Sequence, residues 1–386
     1  MFLHSHLFPE LPTEYVTALP CIVFLHDGCS RAHFKSAFKA TCRILPGMKL
    51  NLRLNKKLLF FVLSCILLSL QWTWHLQHLE GVKKPNITIL LWYWPFHVPY
   101  SLKEDICQKN FSISGCHLVD NRTLYSIADI VVFHQKELKT GSQTLPLQLS
   151  RPDHQRWLWL SLESPQNNGN LSKYAGIFNL TMSYHPGADV TVPYGRIEKK
   201  SSKTETDDFV MPMNKTHLVC WVVSNYQNQH KRTSVYQQLK KFIPVQMYGR
   251  AVRKPVIQSM LLPTISRCYF YLSFENSVSP HYITEKLWRN AFMAGTVPVV
   301  LGPPRSHYEA VAPPHSFIHV DDFDSIAELA KFLTELAGDA KRYDSYFSWH
   351  QNYTVKLFED WRERLCNICQ VYDEFPNYKI YHKLDA

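Results

Sequence analysis

Glycine is scarce in this chain, with 13 residues among 386, and no glycine-rich loop precedes a predicted helix. This excludes a nucleotide site of the Walker or G-x-G-x-x-G kind. The sequence also lacks internal repeats and low-complexity tracts, which excludes a solenoid, a propeller or a compositionally biased chain. Acidic residues are in deficit, because 42 Lys and Arg stand against 32 Asp and Glu and give a formal charge of +10. The length allows two domains with a large core.

One long apolar run is present, at residues 58–74, and it contains no charged residue. Basic residues precede it, and two tryptophans lie at its far end as interface anchors. Because basic residues stay on the cytoplasmic side, the run predicts a transmembrane signal anchor with the rest of the chain across the membrane. A cleaved signal peptide is the alternative, but no small-x-small cleavage pattern follows the run. We therefore expect a cytoplasmic tail at 1–57 and a short stem at 75–85.

Residues 1–47 show no hydrophobic period, whereas Met48 would start a short basic tail before the anchor. We interpret residues 1–47 as an alternative or misannotated start; a long ordered cytoplasmic tail is the competing interpretation. Seven Asn-x-Ser/Thr sequons favour the secretory path. One of them, Asn179, lies in an apolar stretch, where we expect it to be buried. The other six are predicted glycosylation sites: Asn86, Asn110, Asn121, Asn170, Asn214 and Asn352.

Apolar runs of strand length alternate with helical or polar segments, which predicts an α/β protein with parallel sheets. A charged, Ser/Thr-rich stretch at 199–212 is the expected linker. We therefore place one domain at 86–212, a second at 213–365 and a tail at 366–386. The predicted strands are 87–92, 127–133 and 157–162, then 218–224, 245–249, 269–274, 297–301 and 317–320. The predicted helices of the second domain are 233–242, 284–294 and 325–336.

The most informative stretch is a strand, loop, helix, glycine and strand unit at 269–302. Its helix opens on Glu285 and Lys286 and is closed by Gly295. Ligands of parallel sheets bind beyond the carboxyl ends of the strands, and a helix N-terminus that carries a lysine suits a phosphate. Glu285 suits the diol of a ribose. The unit therefore predicts a nucleotide diphosphate site, with an ordinary βαβ unit and a surface Glu-Lys pair as the alternative.

Three residue strings in this region carry a family resemblance. Tyr-Ile-Thr-Glu-Lys at 282–286, Ser-Phe-Glu-Asn-Ser at 273–277 and Val-Pro-Val-Val-Leu-Gly-Pro at 297–303 resemble the donor-site motif of the α-1,3-fucosyltransferases, glycosyltransferase family 10. The resemblance covers about 86–372. It implies a GT-B architecture, with two Rossmann-like domains facing a cleft, and inverting transfer of L-fucose from GDP-β-L-fucose to O3 of N-acetylglucosamine. The donor-binding residues it implies are Tyr194, Ser224, Asn225, Arg232, Tyr271, Asn276, Tyr282, Glu285 and Lys286.

Glu163 ends an apolar strand and is predicted to face the cleft. It stands in Glu-Ser-Pro, which resembles the family motif whose glutamate is the proposed general base. A strand-end glutamate that caps the next turn is the alternative. With the predicted anchor, the resemblance leads us to expect a single-pass type II protein of the Golgi membrane with a luminal catalytic domain.

The segment 322–324, Asp-Phe-Asp, has the form of a metal-binding Asp-x-Asp. Asp324 is instead predicted to be the N-cap of the next helix, so we expect no metal and no obligatory cofactor besides the donor substrate GDP-fucose. Arg232 and Lys286 resemble the family's diphosphate clamp, in which arginine can grip a phosphate with two parallel hydrogen bonds. A solvated charge on a helix face is the alternative for Arg232.

The acceptor is expected to be N-acetyllactosamine on glycoproteins and glycolipids. Stretches at 132–138, 192–196 and 358–364 most resemble a family member that fucosylates the sialylated form and yields sialyl Lewis x. The positive charge suits an anionic donor and acceptor. An enzyme that prefers neutral lactosamine and a non-catalytic luminal glycan-binding protein are the alternatives; a homo-oligomer is an open expectation, and nucleic acid is not an expected partner. The cations expected near a sialyl carboxylate are His97, His134, Lys136 and Arg196.

Cysteines in an oxidising lumen should form disulfides, and six of them permit fifteen pairings. A direct Cys366–Cys369 bridge would be strained, but on a helix both thiols lie on one face and reach two partners, Cys107 and Cys116, which is the arrangement we prefer. Cys220 and Cys268 lie on predicted strands of the second domain and are expected to pair with each other. A zinc site at Cys366-x-x-Cys369 is the remaining alternative.

Overall fold

The computed structural model describes residues 64–71, 86–200, 212 and 214–384. The chain divides into two units, with the boundary in the sequence between Lys83 and Lys84. In the first unit, residues 64–71 are helical, whereas the rest of the predicted anchor and the stem lie outside the described residues. Over the described ranges, no helix has the length and apolar character needed to cross a membrane.

The first domain is a parallel sheet flanked by short helices. Its strands are β1 (Ile87–Leu91), β2 (Cys116–Val119), β3 (Ile130–His134), β4 (Arg156–Leu160), β5 (Leu180–Ser183) and β6 (Val190–Thr191), and a further strand, β7 (Gly195–Lys199), follows them. Its helices are α1 (Ile106–Phe111), α2 (Gln135–Thr140) and α3 (Pro165–Asn168). The order is β2-β1-β3-β4-β5-β6. The strand predicted at 127–133 starts later, because Arg122–Ile127 forms a 3₁₀ helix whose N-cap Asn121 accepts from Thr123 N.

The second domain is also a parallel sheet. Its strands are β8 (His217–Val222), β9 (Val245–Tyr248), β10 (Cys268–Phe274), β11 (Val297–Leu301) and β12 (Ile318–His319), in the order β12-β11-β10-β8-β9. Its helices are α4 (Lys231–Leu239), α5 (Gln258–Ile265), a π-helix (Lys286–Met293), α6 (Arg305–Glu309), α7 (Ile326–Gly338) and α8 (Ala340–Asp344). Further 3₁₀ helices lie at Pro95–His97, Ser172–Tyr174, Arg250–Val252, Val320–Asp322, Ser345–Gln351 and Tyr372–Glu374.

The predicted strand–helix–strand unit is confirmed as β10, the π-helix and β11, which pair in parallel register. Gly295 ends the helix with a φ of +65°, a left-handed conformation that favours glycine. Two details differ from the prediction. The helix is a π-helix, a form frequent at functional sites. Ser325, not Asp324, caps α7, because the Ser325 hydroxyl accepts the hydrogen bond from Glu328 N at 3.2 Å.

The end of the chain returns to the first domain. Strand β13 (Tyr353–Leu357) pairs antiparallel with β7, and helix α9 (Trp361–Gln370) packs in the same core as β1 and β3. The domain boundary predicted between residues 365 and 366 therefore falls inside α9. The predicted pairing of α9 with the first domain is confirmed by the disulfides Cys107–Cys366 and Cys116–Cys369, which we call the clasp. The predicted Cys220–Cys268 disulfide is also confirmed.

Candidate active site

Counted within its own domain, each sheet contains the strand order 2-1-3-4-5, and the first sheet carries a sixth strand beyond the fifth. In doubly wound sheets of this order, ligands bind where the chain reverses between the first and third strands. In the first domain that point lies between β1 and β3, and in the second between β8 and β10. Ser224 and Asn225 follow β8, whereas Glu275 and Asn276 follow β10. The second switch point therefore brings together residues predicted from two separate motifs.

Glu275 organises the start of the π-helix. Its Oε1 accepts hydrogen bonds from Thr284 N at 2.8 Å and Thr284 Oγ1 at 2.9 Å, and its Oε2 lies 3.0 Å from Lys286 Nζ. The same ammonium group lies 3.1 Å from Glu285 Oε1, so one cation serves two carboxylates. Burial raises the pKa of the Glu275 carboxyl. Burial acts to lower the pKa of Lys286, but the two carboxylates raise it above its usual value.

Arg232 is the second cation of this edge, and it is buried. It lies near the start of α4, and its guanidinium donates to two backbone oxygens, that of Asn225 and, at 3.4 Å, that of Phe274. Its Nε has no hydrogen-bond partner among the described residues. A buried guanidinium without a counter-ion in hydrogen-bond contact is a favourable place for an oxyanion. The predicted diphosphate clamp thus has both of its cations on the carboxyl side of the second sheet.

Glu163 lies after β4 and faces the second domain. Its Oε2 accepts hydrogen bonds from the Tyr282 hydroxyl at 3.3 Å and from Asn167 Nδ2 at 3.1 Å. Tyr194 supports the same loop, because its hydroxyl donates to the Leu162 carbonyl at 2.6 Å. Burial raises the pKa of Tyr282 well above its usual value, so the phenol stays protonated and remains a donor. The carboxylate predicted to be the base is therefore held between the two domains by a donor-side tyrosine.

The remaining predicted donor residues differ in accessibility. Ser224 and Asn225 are exposed, and Asn276 is half-buried with an Oδ1 that has no hydrogen-bond partner among the described residues. Tyr271 is fully buried, and its hydroxyl accepts from Asn290 Nδ2 at 3.1 Å, which joins β10 to the π-helix. Because it is buried beneath the π-helix, Tyr271 holds the helix on the sheet and is not accessible to a ligand.

The four cations predicted for the acceptor side are not equivalent. His134 is buried, and its Nδ1 lies 2.6 Å from Glu137 Oε2, so its imidazole is already engaged. Lys136 and His97 are exposed, and His97 Nε2 lies 3.2 Å from Ser142 Oγ. Arg196 is also exposed and forms an ion pair with Glu198 at 2.6 Å.

Two further predictions concern Asn179 and the Asp-Phe-Asp segment. Asn179, expected to be buried, is half-buried, and its amide is engaged at both ends: Nδ2 donates to Lys379 O and Oδ1 accepts from Trp157 N, each at 2.9 Å. Asp322 accepts from Arg305 and from His319 N. The one group of candidate metal ligands in the described part of the chain consists of Cys107, Cys116 and Cys366, and all three are in disulfides.

Two polar residues of this region are not among those predicted from the sequence. Thr284 belongs to the Tyr-Ile-Thr-Glu-Lys motif, and its amide and hydroxyl both donate to Glu275. Arg364, on α9, is buried beside Tyr194, with its Cζ 5.7 Å from the ring centroid. No local pattern could have found Arg364, because its neighbours in space are distant in the sequence.

Comparisons with known proteins agree with this arrangement. The model described as "Fucosyltransferase, N-terminal" matches residues 84–195, and "Glycosyltransferase family 10 (fucosyltransferase) C-term" matches residues 212–386. The chain is 47% identical over 304 residues to Alpha-(1,3)-fucosyltransferase 7 of Homo sapiens, which covers 78% of this chain and 86% of that protein. It is 44% identical over 299 residues to 4-galactosyl-N-acetylglucosaminide 3-alpha-L-fucosyltransferase 9 of Bos taurus, covering 77% and 81%.

A solved structure has the same fold. A crystal structure of an alpha1,3-fucosyltransferase with GDP-fucose superposes with a TM-score of 0.50 at 16% sequence identity, and the match covers 79% of this chain and 95% of that one. At this identity the similarity concerns the fold, an α/β arrangement of parallel sheets.

Proposed function

Because this chain belongs to glycosyltransferase family 10 and is an α-1,3-fucosyltransferase, we propose that it transfers L-fucose from GDP-β-L-fucose to O3 of N-acetylglucosamine with inversion. The proposed acceptor is α2,3-sialylated N-acetyllactosamine, and the product is of the sialyl Lewis x type. The observation that carries the proposal is the contact between Glu163, which follows β4 of the first sheet, and Tyr282, which lies between β10 and the π-helix of the second domain. It joins a carboxylate to the edge that holds Lys286 and Arg232.

In the proposed reaction, Glu163 acts on the acceptor, and Lys286 and Arg232 act on the leaving diphosphate. Glu163 removes the proton from O3 of the acceptor as that oxygen attacks C1 of fucose. The bond from C1 to the β-phosphate oxygen breaks, and its electron pair leaves with GDP. Lys286 and Arg232 compensate the charge of the departing diphosphate. Attack from the face opposite the leaving group converts the β-linked fucose of the donor into an α-linked product.

The proposed donor and acceptor rest on the relatives and on charge. A solved relative is described as an alpha1,3-fucosyltransferase with GDP-fucose, and another relative is named for action on a 4-galactosyl-N-acetylglucosaminide. The sialylated form is favoured by the motif resemblance at 132–138, 192–196 and 358–364 and by the formal charge of +10. We also propose that the chain is a single-pass type II protein of the Golgi membrane with a luminal catalytic domain. The family resemblance, the apolar run at 58–74 and the sequons support this location.

One assay tests the reaction and a second tests the topology. The full chain, solubilised in detergent, is incubated with labelled GDP-fucose and with sialylated and neutral lactosamine, each with and without EDTA. Fucose on O3 with EDTA present supports the proposal, and no transfer to either acceptor refutes it. A faster rate on the neutral acceptor would assign the enzyme to Lewis x synthesis. In mammalian cells, a mass that glycosidase treatment does not change would argue against luminal placement.

A further inference from the structure

A cavity of about 340 Å³ lies behind Tyr194, and residues of the second domain and of the returning chain line it. The charged residues that line it are Glu285, Arg289, Glu359 and Arg364. When Arg364 is set aside, each of the three remaining charges has an ion-pair partner: Arg289 Nη1 lies 2.9 Å from Glu359 Oε1, and Glu285 Oε1 lies 3.1 Å from Lys286 Nζ, which is not part of the cavity lining. The charged groups of the cavity are thus paired, with one exception.

The exception is Arg364. It is 6% exposed, its Nε has no hydrogen-bond partner, and no carboxylate lies within ion-pair distance of it in the part of the chain that the structure describes. Its Cζ lies 4.7 Å from the Trp361 ring centroid and 5.7 Å from that of Tyr194. The two rings offset part of the cost of desolvating the guanidinium, but they accept no hydrogen bond in its plane. A buried arginine stays charged and leaves donors unused, so the cavity is built to receive an acceptor group.

Arg364 is held rigidly and close to the predicted chemistry. It lies two residues before Cys366, whose disulfide to Cys107 fixes α9 on the first domain. The Tyr194 ring beside it donates its hydroxyl to Leu162 O, next to Glu163. Its other ring partner, Trp361, packs against His134, one of the residues predicted for the acceptor side, with ring centroids 5.4 Å apart. Arg364 is therefore linked through one ring to His134 and through the other to the loop that carries Glu163.

We propose that Arg364 binds the carboxylate of a sialylated acceptor glycan and is the residue that makes the enzyme prefer it. The inference rests on the proposed function and names the acceptor determinant of that same site. A carboxylate matches the planar fork of a guanidinium, which grips it with two parallel hydrogen bonds. Preference for one anion over an uncharged analogue is strongest when the receiving cation is buried and otherwise unpaired.

The other possible oxyanion is the diphosphate of the donor, and the charges of the cavity argue against it. Arg289 is paired with Glu359 and Glu285 with Lys286, so Arg364 leaves one unpaired positive charge in the cavity, which suits one added negative charge better than the two or three of a diphosphate. The diphosphate also has its own cations, Lys286 and Arg232, at the switch point of the second sheet. The exposed cations Lys136, His97 and Arg196 are less suitable for the carboxylate, because water screens them.

The test separates acceptor binding from turnover. Arg364→Gln and Arg364→Lys are prepared in the full chain, with Arg342→Gln as the control, because Arg342 also stacks on a ring (Phe332, 5.2 Å) but is exposed on α8. Binding of 3′-sialyl-lactosamine, neutral lactosamine and GDP is measured by calorimetry, and kcat/KM is measured for both acceptors. We expect Arg364→Gln to weaken the sialylated acceptor at least tenfold in both assays and to leave GDP and neutral lactosamine within threefold. Arg364→Lys, which keeps the charge but not the fork, should lose less.

Any other result of the binding measurements overturns the assignment. Equal losses on both acceptors would make Arg364 a general structural support, and a loss of GDP affinity would make it a donor contact. Wild-type protein that binds both acceptors equally would leave no preference to explain. These outcomes are distinct from failure of the proposed function, because the binding measurements do not require turnover. An inactive wild type that still binds sialyl-lactosamine through Arg364 would refute the reaction and keep the site.

Discussion

At the carboxyl end of the second sheet, two carboxylates and two cations crowd around the start of the π-helix. At the same end of the first sheet, the titratable pair His134–Glu137 is closed on itself, and Glu163 is the carboxylate that faces the cleft. The first five strands of each domain have the same order, so the difference comes from the loops that follow the strands. One edge suits a highly charged leaving group and the other a hydroxyl that must lose a proton. The comparison predicts that variants at the carboxyl end of the first sheet lose turnover, whereas variants at the carboxyl end of the second sheet lose affinity for GDP.

The largest effect is expected on kcat, from a variant at the carboxyl end of the first sheet. Glu163→Gln should lower kcat by about 10²–10⁴-fold, the usual worth of a general base, because glutamine keeps the contacts to Tyr282 and Asn167 but cannot accept the proton. GDP affinity should stay near that of the wild type, since Glu163 belongs to the other edge. Single-turnover kinetics and calorimetry with GDP measure the two quantities. Wild-type turnover in this variant would remove Glu163 from the base role.

The clasp that joins α9 to the first domain should give the next largest effect, on stability. Cys107–Cys366 closes a loop with a sequence separation of 259, whereas Cys220–Cys268 spans 48. Because Cys116–Cys369 closes nearly the same loop, with a sequence separation of 253, both bridges must be removed to open it. In the loop-entropy model that removal lowers the free energy of unfolding by at least about 1–2 kcal/mol more than loss of Cys220–Cys268 does. The quadruple variant Cys107→Ser, Cys116→Ser, Cys366→Ser and Cys369→Ser is compared with Cys220→Ser with Cys268→Ser by denaturant unfolding. Equal losses would mean that native packing, rather than chain entropy, sets the cost.

A loss of affinity is expected on the second edge. Lys286→Ala removes a charge-assisted contact to the diphosphate and leaves Glu275 and Glu285 without a shared counter-ion, so GDP should bind at least about tenfold more weakly. Lys331→Ala, an exposed lysine on α7, is the control. Calorimetry with GDP alone keeps the acceptor out of the measurement. If Lys286→Ala lowers kcat while GDP binds as before, the division between the two edges fails.

Local patterns predicted much of this fold, and long-range contacts account for what they missed. The β10–π-helix–β11 unit could be predicted because an apolar strand, a helix that starts with polar residues and Gly295 follow one another within a short stretch of sequence. The capping error at Asp324 arose because two adjacent side chains can cap, and only the backbone geometry selects Ser325. The docking of α9 and the place of Arg364 depend on cysteines and rings that are far apart in the sequence, which no window of residues records.

The smallest effect is expected on the pH dependence of GDP affinity, to which Glu275 should contribute. Lys286 and Glu285 face this buried carboxylate from the π-helix, and Arg232 and Tyr308 are its charged and titratable neighbours on α4 and α6. Burial raises the pKa of Glu275 above its usual value, and the arrival of a diphosphate at Lys286 should raise it further. An acid whose pKa rises on binding takes up a proton, so GDP should bind more weakly as pH increases through that range.

Glu275→Gln removes the titrating group and keeps an oxygen for Thr284, so it should flatten the pH profile of GDP affinity by less than about tenfold between pH 5 and 7. Calorimetry in two buffers with different ionisation enthalpies counts the protons taken up. Glu285→Gln is the matched comparison, because burial would raise the pKa of Glu285 but Lys286 lowers it below its usual value. Glu285 is therefore already ionised and should contribute less to uptake. Unchanged proton uptake in Glu275→Gln would move the titration to another group and leave Glu275 with its role at the start of the π-helix.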